Sequence, residues 1–263
     1  YNDLRGPSNS ITMREAAALV AVGEAFRVVA RGHADAMVAG ATGTRLLSLR
    51  TIHILQQEEL ANGEGSPESA SRPFDVQRKG MVLGEGAGAI VLESLEVAQA
   101  RGAKIYAEVR GAGTSTVADS KLVPQRTRAL ANAIRAALRD AQMTPDQIGH
   151  IQAHGLSTRS CDIDEARAIV EVFGDRAAKI PVTAVKSYCG NLGAGSGLVE
   201  LIAGVFALNA GQLFPILNLK QLDPECPING VRTNDVPAGE SCLKLSVTPQ
   251  GQASCVIVSR FRG

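Results

Sequence analysis

Tryptophan is absent from this 263-residue chain, and all aromatic residues together make up 3% of it. That leaves too few flat rings for a surface that stacks nucleotide bases. An excess of either charge is missing as well, since 27 Lys and Arg stand against 26 Asp and Glu for a net +1. With no long basic block, nothing in the charge pattern points to a nucleic-acid partner. Cysteine is sparse, and Cys161, Cys189, Cys226, Cys242 and Cys255 are widely spaced and form no CxxC pair. Neither a disulfide framework nor a metal site is expected from them, and a reducing cytoplasm fits. No stretch reads as long and pure enough for a membrane span, and the opening YNDLRGPSNS lacks the charged-then-apolar pattern of a secretory signal. Tyr1, in place of an initiator Met, points to a fragment or a processed start.

What is present is a globular composition, 45% hydrophobic and 20% charged. This is enough apolar side chain for one large domain or two small ones. The run Ile11–Arg31 is apolar around most of its circumference and predicts a buried helix stopped by Gly32. Ala36–Ala39 reads as a short strand, Leu46–Ala61 as a helix, and the following Gly, Ser and Pro residues as a long loop. Gly84, Gly86 and Gly88 precede a strand, Ala89–Glu93, without the spacing of a dinucleotide fingerprint, so they predict close backbone packing.

Further on, a helix at Glu96–Arg101 and a strand at Ile105–Gly111 are expected. Leu130, Ile134, Ala137, Leu138 and Ala141 then recur at helical spacing on an amphipathic surface helix. Its arginines, Arg126, Arg128, Arg135 and Arg139, read as a solvated face or, less directly, a docking face for a carrier protein. Ile148–Ala153 predicts a strand that empties into His154, Gly155 and a run of hydroxyl residues before a helix beginning near Asp162. A strand ending in a polar turn that opens a helix is where α/β proteins put their chemistry, so His154 is the first catalytic candidate. Strands at Pro181–Val185, Cys242–Val247 and Ser254–Ser259, with a helix at Leu198–Leu208, complete a βαβαβαββ order from Ile105. Residues 11–93 repeat only its closing αββ, which implies a duplication with an incomplete first copy.

Several motifs in this order are similar to one family. They are GPSNSI (Gly6–Ile11), GHADAMVAG (Gly32–Gly40), SRPFD (Ser71–Asp75), RKGMVLGEGAG (Arg78–Gly88), HGLSTRSCDIDE (His154–Glu165), AVKSYCGN (Ala184–Asn191) and FPILNL (Phe214–Leu219). Together they resemble the β-ketoacyl-acyl carrier protein synthases, condensing enzymes of the thiolase fold. The resemblance implies an α/β protein with two βαβαβαββ halves in an αβαβα layered sandwich. By the same token, residues 1–100 are the end of the N-terminal half and residues 101–263 a complete C-terminal half, with more than about a hundred N-terminal residues of the family's pattern absent. It also implies acyl carrier protein thioesters as partners, a homodimer or a heterodimer with an active synthase, and no cofactor.

The family's reaction needs a thiol nucleophile at a helix start and two histidines that support decarboxylation of the malonyl donor. The resemblance places Glu15 at the nucleophile position and Asn191 at the second-histidine position, while His154 and Lys186 match. Asp162 and Glu165 match as supporting residues, and Leu156 replaces a usual threonine. Val247–Ala253 stands in place of a Gly- and Phe-rich loop that shapes the acyl pocket, and Cys189 falls on the wrong turn to replace the lost thiol. Glu15 reads either as a base or as a helix-start carboxylate without catalysis. Three functions follow as expectations: a synthase homologue impaired in condensation, acting as a non-condensing partner subunit; a malonyl-thioester decarboxylase or hydrolase using His154, Lys186 and Glu15; and a carrier-binding scaffold.

Overall fold

In a computed structural model, residues 5–63 and 65–263 are described; Tyr1 and the rest of the first four residues lie outside that range. Helix α1 (Ala17–Ala30) leads to strand β1 (Ala36–Thr44), helix α2 (Ser48–Leu55) and strand β2 (Glu85–Glu93). Helix α3 (Leu95–Ala100) connects to β3 (Glu108–Thr116), α4 (Arg126–Asp140), β4 (His150–Gln152), α5 (Arg159–Phe173) and β5 (Pro181–Thr183). The short α6 (Lys186–Cys189), α7 (Ser196–Ala210), β6 (Asn229–Gly230), β7 (Ser241–Val247) and β8 (Gln252–Ser259) follow.

Two sheets result, an antiparallel β1–β2 pair and a mixed sheet ordered β3-β8-β7-β4-β5-β6. In the larger sheet β4 pairs in parallel with both β5 and β7, which places His150–Gln152 in the middle. A central parallel strand is covered on both faces, and each residue of β4 is buried. Helix α4 lies on this sheet through Leu130, Ile134 and Ala137, each fully buried. Gly113 of β3 permits that approach, since a Cβ there would stand 2.2 Å from the Ala133 carbonyl. Helices α1 and α7 share a second apolar cluster with β1, β2 and the other face of β7 and β8, through Leu19, Val22, Leu198 and Leu201.

Several boundaries differ from the sequence pattern for identifiable reasons. The helix expected from Ile11 begins as a 3₁₀ turn at Arg14–Ala16, because Arg14 sits at φ +46 and breaks the helical path. Glycine does not end β1 at Ala39, because β2 pairs with it in continuous register from Ala36↔Glu93 to Thr44↔Glu85. The predicted close packing of the GEGAG glycines holds, although Gly86 and Gly88 lie inside β2 and only Gly84 precedes it. A Cβ on Gly86 would come within 2.8 Å of Leu192 Cδ1. Helix α2 is shorter than Leu46–Ala61, β3 is displaced toward Thr116, and the short edge strand β6 carried no pattern. Gly193–Ala210 does have the length and mean hydropathy, 1.4, of a membrane span, contrary to the first reading. Its Glu200 is fully buried among charged partners, so it serves here as a core helix.

His150 is fully buried, and its Nδ1 lies 2.7 Å from the Ala238 carbonyl. Burial holds its pKa down to about 4, only partly opposed by that hydrogen bond. A histidine that must stay neutral in the fold contributes stability that is present above pH 6.5 and lost as pH falls toward 4. Across that window it amounts to about 3 kcal/mol. Urea midpoints between pH 7 and 4 should therefore fall less steeply in His150→Leu than in the parent.

Candidate functional site

The site forms where β4 ends. After Gln152 the chain runs through Ala153 and His154, turns at Gly155 (φ +50) and Ser157 (φ +68), and enters α5 at Arg159. The helix thus starts three residues before Asp162, and Asp162 folds back from its first turn to hold the loop. Its carboxylate accepts N–H bonds from Ser157 at 3.1 Å and Phe74 at 2.8 Å. Arg78 approaches it at 3.3 Å and also pairs with Asp223 at 2.8 Å. Burial raises the Asp162 carboxyl to about 7 against the opposing pull of Arg78.

Glu165, one turn further along α5, accepts the N–H groups of His154 at 2.6 Å and Gly155 at 2.8 Å. Lys186, the first residue of α6, supplies the opposite grip. Its Nζ donates to the His154 carbonyl at 2.8 Å and to Glu200 Oε1 at 2.7 Å, and lies 3.3 Å from His154 Nδ1. An ammonium can only donate, so Nδ1 is the acceptor and the ring proton resides on Nε2. Burial, and then the Lys186 and Lys244 cations, hold the His154 pKa well below its usual value. Nε2–H is therefore a neutral donor, buried and without a hydrogen-bond partner among the described residues.

Glu15 lies in the 3₁₀ turn before α1 and is 1% exposed. It is not a solvated helix-start carboxylate: Arg45 forms an ion pair with its Oε1, and Asn191 Nδ2 donates to the same oxygen at 3.2 Å. Asn191 is oriented for this, because its Oδ1 accepts from Gly193 N at 3.1 Å and Ser196 Oγ at 3.2 Å. The amide NH₂ is thereby turned toward Glu15. Arg14 lies 3.6 Å from Glu15 Oε2 and pairs with Glu58 at 2.6 Å. Burial and the Glu15 charge raise the Glu58 pKa.

A small cleft of about 90 Å³ joins these parts, lined by Glu15, Glu58, His154, Leu156, Arg126 and Thr158 among others. His154 and Glu15 face it together, while Lys186 and Asn191 are not among its lining residues. Asp162 and Glu165 lie beneath the loop as fully buried supports. Cys189 is half-buried, and burial raises its thiol pKa, so it is no substitute nucleophile. Of the arginines of α4, Arg128 and Arg139 are exposed, while Arg126 pairs with Asp164 at 2.8 Å and Arg135 with Glu171 at 2.9 Å, both on α5. No group of His, Cys, Asp and Glu able to hold a metal occurs among the described residues.

Sequence reasoning missed Arg45, Glu200 and Lys244. Two of them had a signal: Glu200 is the single charge in the apolar helix SGLVELIAGVFALNA, and Lys244 the single charge in the buried strand SCLKLSV. A lone charge inside an apolar run must find a buried partner.

Residues 1–98 match the sequence model described as beta-ketoacyl synthase, N-terminal domain, and residues 106–220 the beta-ketoacyl synthase, C-terminal domain. The chain belongs to the β-ketoacyl synthase family. Among curated relatives, 3-oxoacyl-[acyl-carrier-protein] synthase 2 of Synechocystis sp. is 40% identical over 86% of this chain and 55% of its own length. The enzyme of the same name from Coxiella burnetii is 38% identical over 87% of this chain and 56% of its own. This β-ketoacyl synthase homologue thus spans about half the length of the curated relatives it matches. A β-ketoacyl synthase from Burkholderia phymatum superposes with a TM-score of 0.92 at 30% identity, covering 99% of this chain and 63% of that one. A type II PKS acyl-carrier protein in complex with its ketosynthase, bound to the hexaketide, gives 0.92 at 32% identity over 98% and 64% of the two chains. The fold is the thiolase-like ketosynthase fold.

The Glu15 ion pair is a stability element that can be measured. Glu15→Ala leaves the Arg45 guanidinium buried without its counterion and should cost about 3 kcal/mol in urea unfolding. Removing both charges, as Glu15→Leu with Arg45→Met, should recover most of that loss; equal losses in the single and double variants would show that the pair is not the cause.

Proposed function

We propose that this chain is a component of fatty-acid or polyketide synthesis that engages acyl carrier protein thioesters without condensing them through a cysteine. In this reading Glu15 occupies the nucleophile position and Asn191 the second-histidine position, with His154 and Lys186 retained. One observation carries it: Arg45 and Asn191 both bind Glu15 Oε1, so an engaged carboxylate occupies the place where a thiolate would attack. A carboxylate held by a guanidinium and an amide is a poor nucleophile, and it leaves no group there to carry an acyl thioester.

The chain then acts as a non-condensing subunit beside a cysteine-bearing synthase in the cytoplasm. A solved ketosynthase/chain length factor supports this, with a TM-score of 0.86 at 30% identity. So do Leu49, Ile52 and Leu55 of α2, exposed apolar side chains of the kind a partner subunit covers. Decarboxylation of malonyl thioesters is less well supported, because Glu15 and Glu58 line the cleft that would receive the malonyl carboxylate.

Incubation with an acyl-acyl carrier protein should leave the protein's intact mass unchanged, and an acyl adduct would overturn the reading. Chromatography should show co-elution with a cysteine-bearing synthase; a monomer that binds neither synthase nor carrier protein would refute the subunit role. No carbon dioxide should be released from malonyl thioester, whereas release abolished by His154→Ala would install decarboxylase activity in its place.

A further inference from the structure

Lys244 lies in the middle of β7, in a strand buried at every position, and is itself 0% exposed. A lysine enters such a strand only if each ammonium hydrogen finds an acceptor. Lys244 meets this with two hydrogen bonds and one ion pair: Nζ donates to the Ala153 carbonyl at 3.0 Å and to the Leu245 carbonyl, and its charge pairs with Glu200 Oε2 at 2.5 Å. Lys186 is placed in the same way on the other side, with Glu200 Oε1, the His154 carbonyl and His154 Nδ1 as its acceptors. One carboxylate is thus shared by two ammonium groups, which hold the consecutive carbonyls of Ala153 and His154.

We propose that Lys244 is a positioning residue for His154: by engaging Glu200 Oε2 and the Ala153 carbonyl, it fixes Glu200 so that Lys186 reaches His154 Nδ1 and the ring keeps its proton on Nε2. The chain of contacts is continuous from Nζ of Lys244 through Glu200 and Lys186 to the ring. Without Lys244, Glu200 is free to turn both oxygens toward Lys186, and the third Lys186 hydrogen no longer has a fixed direction. The Ala153 carbonyl, next to the catalytic candidate, loses its side-chain donor at the same time. The charge count agrees, since Lys186 and Lys244 balance Glu200 and Glu165, all of them buried. The role concerns the state of the imidazole alone and is independent of any acyl chemistry.

The test is ¹⁵N NMR of the full chain labelled at histidine, with the His154 signals assigned by His154→Gln. The parent should show a single His154 tautomer, protonated at Nε2 and unprotonated at Nδ1. Lys244→Met should lose that single-tautomer signature and give exchanging forms, whereas Lys244→Arg, which keeps a cation and several donors, should retain it. A lysine with a merely structural role would lower the unfolding temperature without moving these signals. A folded Lys244→Met protein that keeps the parent's His154 tautomer overturns the proposal. Should that variant not fold, the parent decides: as Lys244 loses its proton with rising pH, followed in ¹⁵N-lysine spectra, the His154 ring signals should move with the same midpoint. Ring signals that stay put through that step overturn the proposal equally.

Discussion

The cost of burying charge organises this molecule. Taking an ammonium or carboxylate out of water is affordable only with close counter-charges and filled hydrogen-bond positions. Glu200 finds its counter-charges by sitting between Lys186 and Lys244 at 2.7 and 2.5 Å. Because those groups come from α6, α7 and β7, satisfying them brings these elements to one place. The end of β4 is caught between them, and its backbone is bonded on both sides, N–H to Glu165 and C=O to the two lysines. The sharp turn through Gly155 and Ser157 is held by Asp162 and Arg78 in the same manner.

The consequence for chemistry is a neutral imidazole with a defined donor face. His154 is surrounded by cations and buried, which holds its pKa well below the usual value, and the residue lines the small cleft. Across that cleft the buried network of Glu15, Arg45 and Asn191 is polar, with Glu15 Oε1 engaged by both partners. The two sides differ in kind. One holds a neutral hydrogen-bond donor, and the other a carboxylate whose Oε1 is engaged internally.

The sequence was informative where periodicity and motif acted together. The alternation of strands and helices from β3 onward was legible because short-range patterns set those elements, and His154 stood out at the end of an expected strand, whereas Lys186, Asp162 and Glu165 came only from the family resemblance. Boundaries were less legible where glycine had two meanings. In β1 and β2 it reads as a stop, yet it serves as a point of close contact within a strand, and only the neighbouring Leu192 and α7 distinguish the two. Arg45 was invisible because nothing near it in sequence identifies a partner thirty residues away.

What the sequence by itself determined is the family, the α/β order, and the residue types at the candidate site, since each follows from local pattern and motif order. What only the tertiary structure decided is the state of those residues. Glu15 alone is an acid near a helix start, and Arg45 together with Asn191 makes it an engaged, buried carboxylate. His154 alone is a titratable base, and burial beside two lysines makes it a neutral donor with its proton on Nε2. The physical reason is shared: protonation and hydrogen-bond direction depend on distances between groups from separate elements, and the fold sets those distances.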